Sequence, residues 1–173
     1  YNKKTKDILQ SMNAPSSTGF GSLYVNRGTI RNTGEEFSIN AVPIITKDLT
    51  WSIGCNISFN KNKILDLGLP EAKYGTETYQ AYYGSNLSYY GYTAFPVNIF
   101  IAGKPIGLFW GYKTKGIFQS DEEANGLKYN GAKLGAGDIA YVDMNGDNVI
   151  TTDDRTIIGN PNRDFTWGLN ISL

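Results

Sequence analysis

The sequence predicts an all-β fold, an antiparallel up-and-down sheet, and three observations carry that expectation. Apolar and polar residues alternate with period 2 over long runs, which puts one set on each face of a strand. No convincing amphipathic helix interrupts the pattern; Asp121–Ala124 has the composition of a single helical turn at most. The connections are very unequal, with tight hairpins beside long stretches rich in Tyr, Gly, Asn and Asp.

In chain order, Gly28 to Ile45 reads as one long strand, or as two joined at Asn32-Thr33-Gly34. Thr46-Lys47-Asp48 is a tight hairpin. Trp51-Ser-Ile53-Gly-Cys55-Asn-Ile57-Ser-Phe59-Asn60 then alternates without a break, so 49–61 is a strand. Residues 62–91 form a long connection. Residues 92–102 make the next strand, with Pro96 at an edge or bulge. Gly103-Lys104-Pro105 is a second tight hairpin, leading into the aromatic-rich strand 106–118. A second long connection, 119–163, precedes Phe165-Thr-Trp167-Gly-Leu169-Asn-Ile171-Ser-Leu173, which alternates again. The chain starts at Tyr1 inside one such pattern and stops at Leu173 inside another, so a segment of a longer protein is expected.

Composition narrows the function. Among 173 residues, 16 Lys and Arg balance 16 Asp and Glu, so net charge gives no electrostatic case for a nucleic acid partner or an anionic membrane surface. The absence of His removes His-based triads and His-ligated zinc. The single Cys55 allows no internal disulfide. No apolar run approaches the ~20 residues of a membrane helix. Lys3, Lys4 and Lys6 read as a solvated run. The acidic pairs Glu35-Glu36, Glu122-Glu123 and Asp153-Asp154 make no facing carboxylate pair, because adjacent strand residues point to opposite faces. No enzyme is expected.

The strands' polar face is Ser, Gly, Asn and Thr, with no charge from Trp51 to Asn60 or from Phe165 to Leu173. A soluble sandwich normally carries Lys, Glu and Thr there. A wholly apolar face, an uncharged polar face, aromatic ends and alternating short and long connections fit a transmembrane β-barrel with long extracellular loops. Lipid would then cover Trp51, Ile53, Cys55, Ile57 and Phe59. A soluble sandwich with a charge-poor surface is the alternative.

Two candidate sites stand out. Asp143-Met-Asn145-Gly-Asp147-Asn-Val149-Ile-Thr151-Thr-Asp-Asp154 has the spacing of a calcium loop, with Asp143, Asn145, Asp147, Thr151 and Asp154 as oxygen donors and Val149 giving a backbone carbonyl. Asn148 stands at the turn position usually held by Gly. The alternative is an Asx-rich turn that caps itself. The second candidate is aromatic: Tyr82, Tyr83, Tyr89 and Tyr90, in a run that also holds Tyr74, Tyr79, Tyr92 and Phe95, suit stacking on sugars. The alternative is an interfacial girdle and a self-packed loop. Trp51, Trp110, Tyr112 and Trp167 read as girdle or lipid-facing anchors.

Several segments, in order, resemble the SusC/RagA-type TonB-dependent outer-membrane transporters. They are Tyr1-Asn-Lys-Lys-Thr-Lys-Asp-Ile-Leu, Pro15-Ser-Ser-Thr-Gly-Phe20 and Asn26-Arg-Gly-Thr-Ile-Arg-Asn-Thr-Gly-Glu-Glu-Phe37, followed by 49–64, 103–119, Gly137-Asp-Ile-Ala-Tyr-Val-Asp-Met-Asn-Gly-Asp147 and 154–168. Asn148 and Arg163 depart from the family pattern, which more often has Gly and Pro there. The resemblance implies that 1–173 is a piece of the barrel, without the plug domain and the remaining strands of a wall of about 22. It implies periplasmic hairpins at 46–48 and 103–105, wall strands at 49–61, 92–102, 106–118 and 165–173, and extracellular loops at 62–91 and 119–163. It further implies an outer-membrane nutrient importer for oligosaccharide or peptide, energised through TonB, capped by a SusD-like surface lipoprotein and embedded in outer-membrane lipid. The second expectation is a soluble calcium-dependent carbohydrate-binding β module.

Overall fold

A computed structural model describes residues 1–13, 16–84, 86, 87 and 95–173. The chain divides into two compact units, Tyr1–Leu65 with Asn162–Leu173, and Asp66–Pro161. Among the described residues there is no α-helix. The 121–124 segment is a run of turns, and the two 3-10 turns are Ser16–Thr18 and Thr152–Asp154.

The first unit holds β1 (Asn2–Lys6), β2 (Leu9–Asn13), β3 (Ser22–Asn26), β4 (Thr29–Ile45) and β5 (Thr50–Asp66), to which the C-terminal β19 (Phe165–Ser172) returns. Its main sheet runs β1-β4-β5-β19. The stretch read as 28–45 resolves as a single strand, Thr29–Ile45, and the 46–48 hairpin forms as expected. The Thr46 N–H donates to the Leu49 carbonyl at 2.7 Å, and the Leu49 N–H donates to the Thr46 hydroxyl oxygen at 3.0 Å. A break at Asp7 and Gly28, both at positive φ, separates the β1–β4 ladder from the β2–β3 ladder; the Arg27 N–H bonds the Ile8 carbonyl across it at 2.9 Å. β4 and β5 each have 17 residues, well beyond the ~9–11 that cross a bilayer. The sheet is open: β1 and β19 are its edges among the described residues.

The second unit contains β6 (Ala72–Tyr74), β7 (Glu77–Tyr79), β8 (Ala81–Tyr83), β9 (Asn86–Leu87), β10 (Phe95–Pro96), β11 (Asn98–Ile101), β12 (Leu108–Tyr112), β13 (Thr114–Ile117), β14 (Lys128–Tyr129), β15 (Ala132–Lys133), β16 (Ile139–Tyr141), β17 (Val149–Ile150) and β18 (Arg155–Gly159). Here the structure corrects the sequence expectation. Residues 98–101 and 108–112 do form a hairpin, but it lies in a separate sheet, β18-β12-β11-β8, and not in the wall. In the wall, β5 pairs directly with β19. The reason is burial: Ile99, Ile101, Leu108 and Trp110 alternate toward a core of their own with Ala81, packed by Tyr74, Tyr79 and Ile157. Trp110 is only 3% exposed, so it is a core residue and not a girdle anchor. Tyr112 packs on a second core, Phe118, Ala124, Leu127, Ala140 and Ile150. All described pairings are antiparallel except β14 with β17.

Candidate functional site

The β5–β19 ladder sorts its residues by chemistry. Opposite each other on one face stand Phe165 and Phe59, Trp167 and Ile57, Leu169 and Cys55, Ile171 and Ile53. On the other face stand Thr166 and Ser58, Gly168 and Asn56, Asn170 and Gly54, Ser172 and Ser52. Directly opposed residues share a face, so a slip of one residue would mix the two sets. The Phe59 and Phe165 ring centroids are 6.1 Å apart. This apolar face is open: Trp167 is 67% exposed and Leu169 55%. Phe37 and Ile39 of β4 are exposed as well. A contiguous apolar surface of this kind marks contact with lipid or protein, not with water.

The polar face is shaped by glycine and amide partners. A Cβ at Gly54 would lie 2.8 Å from the Asn40 Oδ1, and one at Gly168 2.9 Å from the Asn56 Oδ1. The glycines therefore make room for side-chain amides laid across the neighbouring strand. Ser38, Asn40, Asn56 and Asn170 line a shallow groove of about 320 Å³ with these glycines. Higher on the same face, the Tyr1 ring covers Gly34, and its hydroxyl donates to the Asn60 Oδ1 at 2.9 Å. The Asn62 Nδ2 donates to the Asn162 Oδ1 at 2.6 Å.

In the second unit, Tyr82 and Tyr83 are engaged with other rings. Tyr82 stacks on Phe100 with centroids 4.8 Å apart and planes at 11°, and burial pushes its phenol pKa up. Tyr83, 42% exposed, meets Tyr74 edge-on at 5.1 Å and Trp110 at 6.4 Å. The Tyr79 hydroxyl bonds the Glu77 carboxylate; burial first, then that carboxylate, pushes the phenol up to about 12. Tyr89 and Tyr90 lie outside the described residues. Sequence reasoning missed a second aromatic cluster, Tyr112, Tyr129 and Tyr141, mutually 5.2–6.2 Å apart, with the Arg155 guanidinium 5.2 Å from the Tyr112 ring. These residues are far apart in sequence, so no local spacing signals them.

The 143–154 loop is held by its own side chains. The Asp143 carboxylate accepts the Gly146 and Asn148 N–H groups, both at 2.7 Å. Its pKa is raised by burial, but those N–H donors outweigh that and hold it below the ordinary 3.8. The Asn145 Oδ1 accepts the Asp147 N–H at 3.0 Å, and the Asp147 Oδ1 accepts the Val149 N–H at 2.8 Å. Asp154, fully buried, accepts the Met144 and Thr151 N–H groups, both at 2.8 Å, and closes a capping box with Thr151. Asn148 adopts φ 62° at loop position 6, the left-handed turn that Asn tolerates. Among the described residues, no group of three or more His, Cys, Asp and Glu side chains is placed to hold a metal ion.

The chain is 36% identical over 175 residues to TonB-dependent receptor P26 of Formosa agariphila, a match that covers 100% of this chain and 16% of the receptor. Against TonB-dependent receptor SusC of Bacteroides thetaiotaomicron the identity is 32%, again over 100% of this chain and 15% of the receptor. The chain belongs to the SusC-type TonB-dependent receptors. It spans about a sixth of the length of those relatives. No family model matches it. Among solved structures, the RagAB peptide transporter superposes with a TM-score of 0.65 at 21% identity, over 98% of this chain and 16% of that one. That likeness shows a shared fold.

Proposed function

We propose that this chain supplies wall strands and an extracellular insert to an outer-membrane, TonB-dependent importer of glycans or peptides, and that it performs no catalysis. The observation that supports this most is the β5–β19 ladder, with an apolar face for lipid and an uncharged amide and hydroxyl face for the interior. The Thr46–Leu49 turn is periplasmic in this reading, as short barrel turns are. Because β5 and β19 are adjacent, the chain leaves the wall after β5 and rejoins it at β19, and residues 66–161 are one folded insert between the two strands. That insert takes in most of both long loops expected at 62–91 and 119–163. The plug, TonB and a SusD-like lipoprotein complete the assembly, and Tyr82 and Tyr83 belong to the ligand-side surface. Fractionation of the intact protein tests the reading. Recovery in the outer-membrane fraction, with a band that migrates faster before boiling, is expected. A stable soluble monomer would instead favour a calcium-dependent carbohydrate-binding module.

Calcium at Asp143, Asn145, Asp147, the Val149 carbonyl, Thr151 and Asp154 is a separate proposal. It is supported by the loop spacing and by the left-handed Asn148. Saturating Ca²⁺ at a hundredfold over its Kd stabilises a site by about 2.7 kcal/mol. The expected result is a higher thermal midpoint for the chelator-treated intact protein on adding Ca²⁺, abolished by Asp147→Asn. An unchanged midpoint leaves the loop as a self-capped corner.

A further inference from the structure

The faces of the wall continue above the apolar band, and there the outward face changes abruptly. On β5, Lys61 and Lys63 follow Phe59 on the same face, two and four residues on. On β4, Arg31 lies on the face of Phe37 and Ile39. The parity is fixed by two contacts between the strands: Asn40 lies over Gly54 on the polar face, and the Tyr1 ring over Gly34 reaches Asn60 on that face too. The odd-numbered positions of both strands therefore point outward. The β1 register places Lys4 opposite Arg31 and Lys6 opposite Thr29, so both lysines join the outward face while Lys3, opposite Asn32, lies on the other. The run at 3–6 is thus divided between the faces. Arg163 stands two residues before Phe165, the partner of Phe59.

The outward face above the Phe59–Phe165 row thus gathers Lys4, Lys6, Arg31, Lys61, Lys63 and Arg163, all exposed. Glu35, level with the top of the apolar band, is the acidic side chain of β4 on this face; Glu36 points the other way. Asp7 and Asp164 lie in the turns flanking β1 and β19. None of the six cations is in an ion pair with a described carboxylate. Like charges directly opposite one another, as at Lys4 and Arg31, repel at about 5 Å. Such a cluster is stable where an anion sits between its members, and its place, continuous with a lipid-facing band and capped by an aromatic row, is the depth of lipid headgroups.

We propose that this surface binds the phosphate groups of anionic lipid headgroups in the outward-facing leaflet, with lysines as point charges and the arginine forks gripping phosphate oxygens. The inference rests on the reading of the wall as lipid-exposed. Its test uses the intact receptor in phosphatidylcholine nanodiscs doped with phosphatidic acid, comparing wild type with the combined Arg31→Gln, Lys61→Gln, Lys63→Gln and Arg163→Gln variant. Retention of phosphatidic acid is expected to fall by roughly tenfold or more in the variant, to weaken with salt, and to be unchanged in Lys3→Gln. Equal retention by the fourfold variant, an equal loss in Lys3→Gln, or full displacement by millimolar inorganic phosphate overturns the proposal. Brominated phosphatidylcholine separates the two levels of failure. Quenching that falls with Trp167→Phe confirms lipid at the apolar face, so that unchanged retention sinks the headgroup site alone; quenching unaltered by the substitution sinks both.

Discussion

Leu169→Arg is expected to destabilise the membrane-inserted receptor by about 2–4 kcal/mol, while Asn170→Arg, one residue along β19, costs about 1 kcal/mol or less. Leu169 is the middle of five outward positions, Phe165, Trp167, Leu169, Ile171 and Leu173, and stands opposite Cys55. In the lipid-facing reading that centres it in the apolar band, where a guanidinium would have neither water nor a partner within reach. Asn170 lies in the polar groove with Asn40 and Gly54, where a charged side chain stays hydrated. The contrast is diagnostic because water would reverse it. Leu169 is already largely uncovered, and a surface Leu→Arg change in a soluble module stays within about 0.5 kcal/mol. Urea unfolding of the intact receptor in lipid vesicles, followed by tryptophan fluorescence, reads both variants. Equal, small effects would remove lipid from the outward face.

The wall was legible in the sequence because its signal is long and redundant. Eight alternating residues in β19 and ten in β5 leave a single register that keeps Trp167, Leu169 and Ile171 together, and the absence of charge on both faces points to a barrel. Residues 66–161 were not legible in the same way. Their strands have two to five residues, too few for periodicity to tell a short core strand from a wall strand. Ile99, Ile101, Leu108 and Trp110 look like barrel alternation in the sequence, but they are the inner face of a small sheet with its own core. The 143–154 loop was legible as an Asx-rich motif, since Asp143, Asn145 and Asp147 act on backbone N–H groups within five residues. The Tyr112–Tyr129–Tyr141 cluster depends on long-range pairing and leaves no local trace.

Trp110→Ala is expected to destabilise the 66–161 unit by about 3–5 kcal/mol, as loss of a buried Trp does, and to leave the wall standing. The indole is buried among Ala81, Ile99, Ile101 and Leu108, with Ile157 opposite it on β18. Its Nε1 has no hydrogen-bond partner, so truncation removes no polar bond and the loss is one of packing. Gly75 adds to the constraint. A Cβ there would meet the Arg155 carbonyl oxygen and come within 3.4 Å of the Trp110 ring, so the β6–β7 turn cannot collapse into the vacated space without shifting β18. The unit has its own cores and its own sheets, which is why the damage should stay within it. Limited proteolysis of the intact receptor separates this from an interfacial role. A core Trp110 gives new cleavage inside 66–161 with the barrel still heat-modifiable. A girdle Trp110 would instead lower the stability of the barrel itself and leave the insert resistant to protease. Trp167→Ala supplies the opposite control: it removes an outward-facing ring, so it should weaken the wall and leave the pattern of cleavage within 66–161 unchanged.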